Sequence, residues 1–418
     1  MGTSSRRADL CNCGIVGFFA VLTGMGCSSS SDGLPEIRLP LDAGADLSVS
    51  EEDAGSDVSE ELDSSADGSD DSDGSGDADA GQGRVILGLW PNVRASYEGE
   101  ASASAELEAL AQGLSSGAQA FVDNGAWASL APVSTGYSDG ALGKLKQRAT
   151  LLRDNGRDLY LRLSVIDGAL DGRPSDLRNL AWANPSVRES AKTLIDRVYE
   201  RTGSELHYLS LGSEVDLYLS LHSEQADAIS QFFGELGSYA KAHPDAPSGI
   251  RIGVSLSSAG FLRADAPAWI DALGSTSEVV MLSHYAVNDA GMATSVSLVS
   301  EQMKALMDRA KGRPILFERI SYPSSSLIGG GEDSQAQYLD GVLRYVGDHR
   351  GQFAFVGVHA LHDSSPSECV QFAAMRGHAE STESYAYECS SGLRSRDDTA
   401  KAAFSVFLQG ASMLMAPK

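Results

Sequence analysis

The chain has 418 residues, and 42% of them are hydrophobic, which is enough for one large core. Its formal net charge of −25 argues against nucleic acid as a partner, because a surface that binds nucleic acid is basic. Fifteen acidic residues fall between Leu41 and Gln82, a stretch without Lys or Arg. The rest of the chain therefore has the charge balance of an ordinary globular protein.

The N-terminus has the pattern of an export signal. Arg6 and Arg7 precede an apolar run over residues 14–25, which is shorter than the roughly 20 residues needed to span a membrane. Cys27 follows this run and resembles the lipidated first residue of a bacterial lipoprotein. We expect residues 1–27 to be a signal, and the mature protein to be exported and lipid-anchored to the outer membrane or cell surface. A plain signal peptide or a short uncleaved anchor is the alternative.

Residues 28–83 consist mostly of Ser, Asp, Gly, Ala and Glu. Such a segment cannot bury enough apolar surface to offset the entropy lost on ordering, and its like charges keep it extended. We expect a disordered acidic linker, which either holds the following domain away from the membrane or acts only as a solubilising tail.

Two cysteines, Cys369 and Cys389, lie outside the N-terminal region. In an oxidising compartment an even pair of this kind favours a disulfide. Two free buried thiols are the alternative.

From Arg84 to the C-terminus, short apolar runs alternate with longer amphipathic ones, as expected for βα units around a parallel sheet. This alternation predicts a (β/α)8 barrel, the TIM barrel of the α/β class, over residues 84–418. A doubly wound open sheet is the alternative, but no glycine-rich phosphate loop follows the first strand. The predicted strands cover residues 84–90, 118–127, 158–167, 206–214, 250–257, 278–285, 313–322 and 353–362. Helical periodicity is clearest over residues 187–203, 225–243, 334–349 and 399–414.

The active site of such a barrel lies at the C-terminal ends of its strands. Two carboxylates fall there, Glu214 on the fourth strand and Glu318 on the seventh. A pair of this kind suits a retaining glycosidase, in which one carboxyl group protonates the leaving oxygen and the other attacks the anomeric carbon. Arg319 is an alternative ion-pair partner for Glu318.

Other polar and aromatic residues at the predicted strand ends are candidates for substrate binding. Large aromatic rings can stack on a sugar ring or simply pack in the core. Arg162 and Asp167 are placed to contact a sugar hydroxyl or each other. No metal site or cofactor is expected, although two histidines, His359 and His362, lie at the end of the eighth predicted strand. The candidates are Trp90, Trp127, Arg162, Asp167, Ser213, His284, Tyr285 and His359.

Three segments carry a family resemblance: LSLGSEVD at 209–216, VMLSHYAVN at 280–288 and PILFERISYPSS at 314–325. Together they resemble the clan A glycoside hydrolases, and in particular the arabinogalactan endo-galactanases of glycoside hydrolase family 53. The resemblance implies that Glu214 is the acid/base, that Glu318 is the nucleophile, and that the Tyr285 hydroxyl orients Glu318. The substrate would be a β-linked polysaccharide or oligosaccharide.

The sequence departs from the family pattern at two site positions. Ser213 stands where these enzymes have an Asn that contacts the sugar 2-hydroxyl, and His359 stands where an aromatic platform is usual. These departures keep open a second hypothesis, a non-catalytic barrel that binds glycans at the cell surface. Substitution of each glutamate by Gln discriminates between the two, since only an enzyme would lose hydrolysis.

Overall fold

A computed structural model describes residues 84–92, 103–275, 277–288, 290–378 and 381–416. The predicted signal, the lipidated Cys27 and the acidic linker lie outside these residues. None of the helices within the described ranges combines the length and the apolar character needed to cross a bilayer.

Nine of the described strands form one parallel sheet, in the order β7-β6-β3-β2-β1-β11-β10-β9-β8. Val254 separates β7, which pairs with β6, from β8, which pairs with β9. The ring of strands therefore closes through one interrupted strand, and the predicted (β/α)8 barrel is confirmed. The strands are β1 (Ile86–Leu89), β2 (Ala120–Asn124), β3 (Asp158–Arg162), β4 (Ile166–Asp167), β5 (Leu170–Asp171), β6 (Leu206–Ser210), β7 (Arg251–Gly253), β8 (Ser255–Ser257), β9 (Val280–Tyr285), β10 (Ile315–Ser321) and β11 (Phe353–Val358).

Amphipathic helices follow the strands, and the four predicted from periodicity correspond to α4, α6, α10 and α13. Local signals fix several of their starts: the side chain of Asn184 caps α4, with Pro185 at its first position. The helices are α1 (Ala103–Ser115), α2 (Trp127–Leu130), α3 (Asp139–Asp154), α4 (Pro185–Thr202), α5 (Val215–Leu221), α6 (Ala226–Ala242), α7 (Ser258–Leu262), α8 (Ala268–Ser275), α9 (Val299–Ala310), α10 (Glu332–Asp348), α11 (Pro366–Met375), α12 (Thr382–Glu388) and α13 (Ala402–Met415).

The alternation of side chains along each strand divides the apolar residues into two cores. The larger core lies between the strands and the helices. The smaller one fills the barrel interior and includes Tyr160, Tyr208 and Phe355, whose rings pack against one another. A Cβ at Gly88 would overlap the Phe355 ring, so only glycine fits at that point of β1. The barrel interior is thus a packed core.

The barrel strands are shorter than predicted, and at β2 and β3 this moves a candidate residue into another element. β2 ends at Asn124, and Trp127 instead begins α2. β3 ends at Arg162, and Asp167 lies in a separate antiparallel hairpin formed by β4 and β5. Gly168, with a φ of 59°, supplies the left-handed residue that this tight turn requires.

A segment after β11 covers the C-terminal end of the barrel and was not predicted. Residues 366–389, which we call the cap, contain α11 and α12. A disulfide joins Cys369 to Cys389 with their Cα atoms 5.3 Å apart. The Phe372 ring packs edge-on against the Trp90 ring, with 6.2 Å between centroids. The cap therefore lies over the strand ends where the site was predicted.

Candidate active site

A β-bulge in β10 directs Glu318 into the barrel. Phe317 pairs with Leu282 and Arg319 pairs with Ser283, so Glu318 is an extra residue relative to β9. A bulge of this kind re-aims the neighbouring side chains. As a result the consecutive residues Glu318 and Arg319 both contact groups at the barrel mouth instead of pointing to opposite faces of the sheet.

Glu318 is 1% exposed and is surrounded by donors. Its Oε1 lies 2.8 Å from the Nε of Arg162 and accepts a hydrogen bond of 2.7 Å from the Ser213 hydroxyl. Its Oε2 accepts a longer one, 3.4 Å, from the hydroxyl of Tyr160. Arg162 also donates to Asp167 at 3.1 Å, so these two residues contact each other, one of the two arrangements expected from the sequence. Three donor groups, on Arg162, Ser213 and Tyr160, therefore surround the Glu318 carboxyl group.

Glu214 is held in a different environment. It directly precedes α5 with a left-handed backbone, φ 48°. Its Oε1 accepts a hydrogen bond from the Tyr285 hydroxyl, whereas its Oε2 is buried and has no partner among the described residues. Burial raises the pKa of Glu214, and the neighbouring Arg376 and the Tyr285 hydroxyl act in the opposite direction. The raised pKa favours the protonated carboxyl group that an acid catalyst needs.

The structure contains neither the implied contact of Tyr285 with Glu318 nor the alternative ion pair of Arg319 with Glu318. The Tyr285 hydroxyl bonds Glu214, the predicted acid/base, and not Glu318. Arg319 forms an ion pair with Glu388 of the cap, and Glu318 forms one with Arg162. The sequence could not give either pairing, because the partners come from strands and from a cap that are distant along the chain.

Three predicted substrate-binding residues are turned away from open space. Trp127 is fully buried in the outer core. His284 points to the helix layer, where its Nδ1 contacts the Ser258 hydroxyl, and burial lowers its pKa to about 4. Ser213 is 1% exposed, and its hydroxyl accepts a hydrogen bond from Arg162 and donates one to Glu318. These three side chains therefore cannot contact a sugar in this arrangement.

The remaining aromatic candidates lie under the cap. Trp90 stacks below the Arg162 guanidinium, 5.0 Å from its ring centroid, and contacts the His359 ring edge-on at 5.0 Å. His359 is 2% exposed, and burial lowers its pKa well below the usual range. Neither ring nitrogen of His359 has a hydrogen-bond partner within the described ranges. His362, in contrast, is tied to Asn92 and Asp398 and so has a structural role.

Two cap residues that sequence reasoning missed complete the site. The guanidinium groups of Arg319 and Arg376 both lie over the Tyr285 ring, at 4.8 and 3.8 Å from its centroid. Both also pair with the same carboxylate, Glu388. No motif in the segment after the eighth strand signals Arg376 or Glu388, because only the folding of the cap onto the barrel brings them to Tyr285.

Space around Glu214 is unevenly distributed. An open cavity of about 440 Å³ lies on one side, lined by Glu214, Tyr285, Asn288, Arg376 and hydroxyl groups. On the side toward Arg162, the space is only about 10 Å³, because Phe372 and Met375 of the cap fill it. Across the described residues, no group of three His, Cys, Asp or Glu side chains is placed to hold a metal ion.

The barrel has one carboxyl side chain just after its fourth strand and one on its seventh, and it has the fold of the clan A glycoside hydrolases. No protein-family model matches the chain, and no curated protein matches it by sequence. Solved structures do match in fold.

A family 5, subfamily 18 glycoside hydrolase of Bifidobacterium longum, solved with Manβ1-4GlcNAc, is 16% identical, with a TM-score of 0.61 over 78% of each chain. The subfamily 18 protein of Streptomyces cattleya, solved with GlcNAc, is 13% identical, with a TM-score of 0.64 over 80% of this chain and 82% of that one. An exo-β-1,4-mannosidase of an Opitutaceae bacterium is 13% identical, with a TM-score of 0.61 over 81% of this chain and 63% of that one. These likenesses show a shared fold, and the resemblance to family 53 stays a prediction.

Proposed function

We propose that this protein is a retaining glycoside hydrolase, with Glu214 as acid/base and Glu318 as nucleophile. The observation that carries the proposal is that two neighbouring buried carboxyl groups differ in the polar groups around them. Glu318 faces a guanidinium and two hydroxyl donors, whereas burial raises the pKa of Glu214. Paired groups whose environments differ in this way are typical of an acid and a nucleophile.

The connection through Ser213 favours a retaining mechanism. Ser213 directly precedes Glu214 and also hydrogen-bonds Glu318, so the two carboxyl groups are linked through one neighbouring residue. Retaining enzymes hold their carboxyl groups about 5–5.5 Å apart, closer than inverting enzymes do. This linkage supports direct attack by Glu318, and the anomeric configuration of the first product tests it.

The reaction would proceed in two steps. Glu318 attacks the anomeric carbon as the glycosidic C–O bond breaks, and the leaving oxygen takes the proton of Glu214. The Glu214 carboxylate then accepts a proton from water, whose oxygen displaces Glu318 from the anomeric carbon. Tyr285 would hold the Glu214 carboxyl group in place through both steps, and Arg162 would hold Glu318.

The closed space beside Glu318 is the observation that favours the alternative, a non-catalytic glycan-binding barrel. A cavity of about 10 Å³ does not admit a sugar ring, and Glu318 is 1% exposed. For hydrolysis, Phe372 and Met375 must move with the cap. The binding alternative needs no such movement, because the cavity of about 440 Å³ on the other side of Glu214 is already open.

Hydrolysis assays with matched variants separate the two functions. A structure with a similar fold was solved with Manβ1-4GlcNAc, so β-mannosides are the first β-linked substrates to assay. Glu214→Gln and Glu318→Gln should each lower kcat/KM by about 10³-fold or more, whereas Glu383→Gln, an exposed carboxylate on the cap, should leave it unchanged. An initial product with the substrate's anomeric configuration, read by NMR, would support retention. Hydrolysis that survives both site variants would refute the assignment.

We also infer that the protein works outside the cytoplasm, lipid-anchored through Cys27. The support is the signal-like N-terminus and the disulfide between Cys369 and Cys389, since disulfides persist in oxidising compartments. Metabolic labelling with a radioactive fatty acid tests the inference. The label should enter the wild-type protein and be lost in Cys27→Ser, and a labelled Cys27→Ser variant would refute the anchor.

A further inference from the structure

The open cavity beside Glu214 has one strongly basic side chain in its wall. Most of its other polar lining consists of hydroxyl and amide groups, including Ser258, Asn288 and Ser384. Among the described lining residues the permanent cation is Arg376, which comes from the end of α11. The cavity is therefore polar, and its fixed positive charge is localised beside Glu214.

The guanidinium of Arg376 has unused donor capacity. A guanidinium carries five N–H donors, yet this one makes no hydrogen bond to a described residue. Its paired carboxylate, Glu388, lies 3.5 Å away and is shared with Arg319. The side chain is 17% exposed, and none of its nitrogen atoms is among the fully buried atoms without a partner, so the free donors face the open cavity. A guanidinium with free donors that faces an open cavity is suited to bind an anion.

The cavity lies where the leaving sugar would sit. The acid catalyst protonates the leaving oxygen, and the nucleophile attacks from the other side of the bond. Glu214 separates the open cavity from the closed space that faces Arg162, the partner of Glu318. The leaving group would therefore occupy the open cavity, within reach of Arg376.

We propose that Arg376 selects substrates whose leaving sugar carries an anionic group, in the first place the carboxylate of a uronic acid. This inference rests on the proposed function for the orientation of the substrate. A planar carboxylate can accept two parallel hydrogen bonds from a guanidinium, which a neutral hydroxymethyl group cannot. An anion there would also oppose ionisation of Glu214, and so would keep the acid protonated.

Binding without turnover tests the inference. In the full-length Glu318→Gln protein, calorimetric titration with methyl β-D-glucuronide should give a Kd about tenfold or more below that for methyl β-D-glucoside. Arg376→Gln should remove this difference in affinity between the two glycosides. Arg376→Lys keeps the positive charge but lacks the paired N–H donors of the guanidinium, and should retain part of the difference. Arg344→Gln removes an exposed arginine of α10 and should change nothing.

The outcomes also separate this inference from the proposed function. Equal affinity for the two sugars, or a preference that survives Arg376→Gln in a folded variant, would overturn the anion site. If methyl β-D-glucoside 6-sulfate, and not the glucuronide, binds more tightly than methyl β-D-glucoside in a way that depends on Arg376, the anion site is supported and its ligand is a sulfate ester. A preference for the anion without any hydrolysis by the wild type would refute the enzyme while leaving the anion site standing.

Discussion

Asp216, two residues after Glu214, is a buried carboxyl group whose ionisation opposes folding. It lies in the first turn of α5 and is 5% exposed. Its Oδ1 accepts a hydrogen bond of 2.7 Å from the backbone N–H of Ser257, and its Oδ2 accepts one from the Ser257 hydroxyl. Burial nevertheless prevails and raises the pKa of Asp216 from 3.8 to about 6. We therefore expect Asp216→Asn to remove a pH-dependent destabilisation.

The sign and size of the effect follow from proton linkage. A carboxyl group with a raised pKa in the folded state stabilises the fold fully below its unfolded pKa, and that contribution is lost as pH rises through its folded pKa. For Asp216 the loss begins near pH 3.8 and is nearly complete above pH 6. Between pH 4 and 8 the wild type should lose about 2–3 kcal/mol relative to Asp216→Asn.

Urea unfolding of both proteins at pH 4 and pH 8 measures this difference. Comparing the two pH values cancels the change in packing that the amide itself introduces. Asp176→Asn is the matched control, because the Ser134 hydroxyl helps to lower the pKa of the exposed Asp176. Its removal should give a small difference of opposite sign. If the stability gap between wild type and Asp216→Asn were the same at both pH values, the reasoning about burial would be refuted.

Three further predictions concern the site and the cap. Tyr285→Phe removes the hydroxyl that donates a hydrogen bond to Glu214, so the pKa of Glu214 should rise. The alkaline limb of the pH profile of kcat/KM should therefore move up by about one pH unit. An alkaline limb at the wild-type pH would contradict this role of the hydroxyl. Gly168→Ala places a Cβ against the carbonyl oxygen of Met375 at a residue with a left-handed φ. It should lower the free energy of unfolding by about 1–3 kcal/mol and speed amide hydrogen exchange in α11. Unchanged exchange in α11 would argue against that contact. Replacing both cap cysteines by serine should cost about 3 kcal/mol and lower the Tm, and an unchanged Tm would show that the disulfide adds no stability.

The sequence determined the fold because its signals are local. Apolar residues three and four apart form the outer helices, and short β-rich runs form the strands, so eight repeats of the pattern specify a barrel without knowledge of any distant contact. The rule that polar groups cluster at the strand ends then indicated Glu214 and Glu318. Both glutamates were thus accessible to reasoning from residue order and type.

The partners of those glutamates were decided by tertiary structure. Tyr160 lies 158 positions from Glu318, and Arg162 lies almost as far away, so no local pattern connects them. The side on which a strand residue lies also depends on register: one step along β9 places His284 among the helices and Tyr285 at the site. A bulge that adds one residue to β10 changes this alternation for Glu318 and Arg319.

The cap shows the same division most clearly. Its helices carry local signals, such as the capping box in which Ser365 and Glu368 begin α11. Nothing local specifies that α11 will fold over the barrel mouth or that Arg376 will reach Tyr285. Those contacts form only when the closed ring of strands brings distant loops to one end, because packing between elements depends on three-dimensional proximity and not on separation along the chain.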